Sequence, residues 1–246
     1  LYYNTVYFYL HFLYNGYFVF VLFGLLFRFL NLKDIAEHSK MVRLFFIYLT
    51  ASCIPTYALS VLWSDVHSSF YIIGFAGALL QCIALFFLFV FFKKLSFLKH
   101  LGTMTSFLLK FVFIAFLLKI LLQLLSSFPY FVDKSIALKP YFIIGYLHLF
   151  TLGFMSVFII LTLKLIQGLQ IECITTRFGM WTILFGVILT ELLLFGQGLQ
   201  LLLVGSLIPY YNIVLLICSL VLILGMCCLF FPQFLKKSFN PKSFCQ

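Results

Sequence analysis

The chain has 246 residues, of which 65% are hydrophobic and only 9% charged, with a mean hydropathy of +1.19 and a formal net charge of +10. A soluble globular domain carries about 25% charged residues, so this chain cannot cover its own surface with polar groups and lipid has to cover it. The apolar runs are continuous rather than alternating, which argues against a β-barrel, and the basic residues sit at the ends of those runs, which argues against a nucleic-acid footprint.

The expected architecture is therefore all-α, a polytopic membrane bundle of seven transmembrane helices. A run of about 20 apolar residues crosses ~30 Å of hydrocarbon at ~1.5 Å per residue. In chain order the runs fall at roughly 3–29, 44–63, 70–92, 106–128, 141–163, 179–204 and 212–232. Short loops between them carry most of the charges and several of the prolines, Pro129, Pro140, Pro209 and Pro232. Residues 1–235 read as a single transmembrane domain and 236–246 as a short basic tail, with no soluble domain and no internal repeat. No charged segment precedes the first run, which fits a chain with further helices upstream. The seven cysteines lie mostly within apolar runs without a CxxC pair, and read as small packing residues.

Orientation follows from the basic residues. The first, third and fifth loops hold Arg28, Lys33, Lys40, Arg43, Lys93, Lys94, Lys99, Lys164 and Arg177, and the tail adds Lys236, Lys237 and Lys242. The opposite side has Lys134 and Lys139 only. The positive-inside rule then puts the N-terminus outside and the C-terminus in the cytoplasm or matrix.

Ionisable groups inside a bilayer are costly and mark function. Lys110 lies one turn into its run and can snorkel to water. Lys119 and Glu191 lie near the middle of their runs, at matching depth, and invite a buried pair, directly or through Gln197; a purely structural lock between helices is the competing reading. His11 and His148 share a depth in the outer half of the membrane. Neutral imidazoles on neighbouring helices can hold haem iron or copper, or simply hydrogen-bond the next helix. His67, in the loop after the second run, lies on the same outer side. His38 and His100 fall in cytoplasmic loops and read as solvated.

Two stretches carry a resemblance. HFLYNGYF, His11–Phe18, is similar to the sixth helix of nitric oxide reductases in the haem-copper oxidase superfamily, with Asn15-Gly16 where that family has Glu-Gly. YLHLFTLGF, Tyr146–Phe154, resembles the tenth helix, with Tyr146 in place of the first histidine of His-x-His and His148 as the second. The topology from the sixth helix to the last also gives seven spans. The resemblance implies a haem held by His148 with His11 nearby, lined by Asn15 and Tyr146. It also implies an incomplete binuclear centre, because Ile54–Trp63, matching the seventh helix, has no histidine.

Three readings stay open. One is a degenerate superfamily member, haem-binding or a scaffold, in a respiratory-type complex of the bacterial plasma membrane or the mitochondrial inner membrane. Another is a small transporter or proton-coupled subunit using Lys119 and Glu191. The third is a structural accessory subunit. The expected partners are the bilayer and other membrane subunits or a missing helical segment, and not nucleic acid.

Overall fold

The computed structural model describes residues 2–30, 32–62, 66–95, 101–136 and 139–235. Lys99, His100 and the tail, with Cys245, lie outside the described residues. All regular elements among them are helical. They are α1 (Tyr2–His11), a π-helical segment π1 (Phe12–Phe18), α2 (Val19–Phe29), α3 (Leu32–Glu37), α4 (Ser39–Cys53), α5 (Tyr57–Ser60), α6 (Ser69–Lys94) and α7 (Thr103–Leu125). These are followed by α8 (Pro129–Ile136), α9 (Lys139–His148), a second π segment π2 (Leu149–Ser156), α10 (Val157–Leu165), α11 (Ile174–Val204) and α12 (Tyr211–Leu235).

Six helical stretches are long and apolar enough to cross a membrane: Asn4–Phe29, Ser69–Lys94, Thr103–Leu125, Tyr141–Leu165, Ile174–Val204 and Tyr211–Gln233. The protein is a multi-pass membrane protein on that ground. The run at 44–63, expected as a seventh span, departs from the expectation. Its helix α4 has 15 residues, about 22 Å at ~1.5 Å per residue, short of a ~30 Å core. The physical reason is Pro55, which has no N–H for the helical ladder and disfavours helix in the residue before it. The chain turns at 54–56 and restarts as the four-residue α5.

The chain divides into two compact units, Leu1–Ala137 and Leu138–Gln246. In the first, α4 packs along α6, α6 meets α7, and α1 meets α5. Phenylalanines fill this core: Phe23 meets Phe45 and Phe116 at centroid distances of 5.0 and 5.2 Å, and Phe27 meets Phe91 at 5.4 Å. Rings of this size at 4.5–7 Å bury much apolar area in tilted or edge-on contacts. The turn at Pro55 is seated against α6, where a Cβ added to Gly77 would stand 2.7 Å from Thr56 N and 2.9 Å from Pro55 C. Only a glycine admits that approach.

In the second unit α11 packs on α12, on α9 and on π2. The α11–α12 crossing is a backbone contact made by glycines. A Cβ on Gly179 would meet Leu229 N at 2.6 Å and Gly225 O at 2.8 Å, and one on Gly225 would meet Ile183 N at 2.9 Å. Close approach through small residues is how helices associate in lipid, where no hydrophobic force drives them together. α11 ends at Gly205, whose φ of 76° is the left-handed cap geometry glycine tolerates. The outer faces are apolar, with Phe86, Phe89, Ile213, Leu216, Leu220 and Phe231 all exposed. Cysteines 53, 82, 218, 227 and 228 are free. Cys173 is disulfide-bonded, which corrects its reading as a packing residue.

Candidate functional site: two histidine–π segments and a buried lysine

Each candidate histidine of the membrane interior ends an α-helix and starts a π segment. His11 precedes π1 and His148 precedes π2, and each stands five residues before a glycine, Gly16 or Gly153. A π turn closes i→i+5 bonds and widens the helix, and such turns are frequent at functional sites. In π2 the Ser156 hydroxyl donates to the Thr151 carbonyl five residues back, at 2.9 Å. In π1 Gly16 lies close to α4, a Cβ there standing 3.7 Å from Cys53 Sγ.

In the first unit His11 is buried, with 3% exposure. Its Nε2 lies 2.9 Å from the Cys53 carbonyl oxygen. A carbonyl only accepts, so Nε2 carries the hydrogen, and Nδ1 accepts from the Ser60 hydroxyl at 3.1 Å. The bond exists because of Pro55: the turn sends the Tyr57 amide to Ile54 O and leaves the Cys53 carbonyl to other donors, His11 and the Thr56 hydroxyl at 3.3 Å. Asn15 Nδ2 approaches Nδ1 at 3.5 Å, while Asn15 Oδ1 is buried with no hydrogen-bond partner.

Lys119 of α7 is 1% exposed and its ammonium donates to Gln81 Oε1 of α6 at 3.3 Å. Its Nζ also stands 5.7 Å from the Phe116 ring centroid, within cation–π range. His11 and Cys53 lie in the same unit, near enough for Lys119 to interact with both. Gln123, one turn beyond Lys119, is buried and its Oε1 has no hydrogen-bond partner. His11, Asn15, Cys53, Ser60, Gln81 and Lys119 therefore belong to one polar interior in an otherwise aromatic unit.

The second unit holds Glu191, His148 and Tyr146. Both Glu191 carboxyl oxygens and His148 Nδ1 are buried with no hydrogen-bond partner among the described residues. Gln197, expected as a bridge to Lys119, instead accepts the Ile208 amide at 2.9 Å. Lys119 and Glu191 thus belong to different units, with Lys119 bonded to Gln81. His67 is exposed, and its Nδ1 accepts the Ser69 amide at 3.3 Å at the entry to α6. His38, expected to be solvated, has a buried Nδ1 and lies 6.3 Å from the Phe91 ring. Lys110 is exposed, as snorkelling requires.

These geometries test the cofactor that the resemblance implies. Iron takes a lone pair from an imidazole nitrogen. His11 has both nitrogens committed to neighbouring helices and does not fit as it stands. His148 fits, because its buried Nδ1 has no hydrogen-bond partner among the described residues. Among the described residues no group of three or more His, Cys, Asp or Glu side chains could hold a metal ion. Ser60, the Cys53 carbonyl and the role of Gln81 escaped the sequence reading; Pro55 inside an apolar run was the available signal for the first two. No family model, curated protein or solved structure matches this chain.

Proposed function

We propose that this protein is a proton- or cation-coupled membrane subunit whose working element is the polar interior of the first unit, centred on Lys119. The observation that carries the reading is the fully buried Lys119 amine, held by Gln81 in the second half of α7, in the same unit as His11 and Cys53. A charge there is expensive, and a purely structural helix contact is made more cheaply by apolar packing. His11, Ser60 and Asn15 extend the polar groups along the unit. The test is proton flux into vesicles containing the reconstituted full chain, read with an entrapped pH dye. Lys119→Met removes the ammonium at nearly constant length and abolishes the flux, and Lys119→Arg keeps a charge and retains part of it. Equal flux in wild type and Lys119→Met overturns the reading.

A second reading has its own observation, the orphaned Nδ1 of His148 together with the resemblance of Tyr146–Phe154 to the tenth helix of haem-copper oxidases. In it the chain is a degenerate relative within a respiratory-type complex, beside other membrane subunits. His148 holds a haem, which supplies one-electron transfer, in a chain whose N-terminus lies outside. A Soret band in the purified protein, lost in His148→Gln, supports it; no band in protein expressed with haem supplied overturns it.

A further inference from the structure

The register of α9 against α11 brings two orphaned groups to one level. Within the second unit a Cβ on Gly145 would stand 3.2 Å from the Phe195 ring, and one on Gly198 would stand 3.0 Å from the Phe142 ring. The helices are therefore antiparallel neighbours, with 142 beside 198 and 145 beside 195. Residues three or four apart share a helix face. One turn back from Phe195 on the contacting face of α11 is Glu191, and one turn on from Gly145 are His148, which ends α9, and Leu149, which opens π2. Glu191 and His148 thus sit at the same depth on adjacent helices, where π2 begins. Each has buried polar atoms that no described residue satisfies: both Glu191 oxygens and His148 Nδ1. Buried groups of this kind are rare and need an explanation.

We propose that His148 and Glu191 together bind a divalent transition-metal cation of the zinc class. An imidazole nitrogen and a two-oxygen carboxylate supply three donor atoms of types that suit this class. The cation satisfies all three orphaned atoms at once and offsets the carboxylate charge in a low-dielectric interior. No third His, Cys, Asp or Glu joins them among the described residues. The site is therefore open, with its remaining positions left to water or an exchangeable ligand, as in zinc sites that act rather than brace. Binding is correspondingly labile. The proposal stands on the second unit alone and does not depend on Lys119.

The experiment is titration of the purified full chain in detergent with Zn2+ by calorimetry, with Co2+ absorption as the ligand signature. Wild type, His148→Gln, Glu191→Gln, the double variant and the exchanged pair His148→Glu/Glu191→His are compared. Each single variant weakens one equivalent by about ten-fold or more, and the double variant loses no further equivalent. The exchanged pair, which keeps both donor types, regains it, and this recovery separates lost ligands from lost fold. The Co2+ difference spectrum lacks the thiolate charge-transfer band that cysteine would give. Full affinity in either single variant, loss of two equivalents in the double variant, no recovery in the exchanged pair, or a thiolate band in the lost component overturns the proposal. So does a haem Soret band that disappears in His148→Gln, since the ring then belongs to iron.

Discussion

Replacing His11 by Phe separates a histidine that ties helices together from one that holds a cofactor. The ring packs edge-on against Phe12 and Tyr57, at centroid distances of 5.1 and 5.7 Å, and phenylalanine keeps both contacts. What it removes is the pair of hydrogen bonds to the Cys53 carbonyl and the Ser60 hydroxyl. Hydrogen bonds between membrane helices contribute about 0.6 kcal/mol on average and up to ~1.7. A buried group left with no partner costs ~1–3 kcal/mol, but the carbonyl here keeps the Thr56 hydroxyl. The two bonds together are therefore worth about 1–3 kcal/mol. The assay is unfolding of the purified protein in mixed micelles with rising denaturing detergent, followed by circular dichroism. Ser60→Ala, alone and combined with His11→Phe, completes a double-mutant cycle with an expected coupling of ~0.6–1.7 kcal/mol. If His11→Phe is as stable as wild type, or the coupling with Ser60 is zero, the hydrogen-bonding role assigned to His11 is wrong.

Two further outcomes are expected. Gly179→Ala places a methyl group 2.6 Å from Leu229 N and lowers stability by about 1–3 kcal/mol. Gly24→Ala, in α2 with nothing within 4 Å, raises it by ~0.5–1 kcal/mol; equal effects at the two sites would refute the α11–α12 crossing. Trypsin added to inside-out vesicles cleaves the tail at Lys236, Lys237 or Lys242, and trypsin added to intact cells or spheroplasts does not. Tail cleavage from the outside reverses the orientation.

Composition and run length were enough to establish a helical membrane protein, because the shortage of polar surface and the length needed to cross hydrocarbon are both additive properties of the chain. They also pointed to Lys119, Glu191, His11 and His148, since an ionisable residue in an apolar run is visible without coordinates. The partners of those residues were not visible. Depth counting matched Lys119 with Glu191, but depth is one coordinate. The packing of α6 beside α7 gave Lys119 to Gln81, and the register of α9 against α11 set Glu191 level with His148. The run at 44–63 was apolar enough to read as a span, yet one imino acid at 55 broke it and released the carbonyl that His11 takes. The π segments had no signature beyond a histidine five residues before a glycine. Their widened turns depend on how neighbouring helices pack, which only the tertiary structure decides.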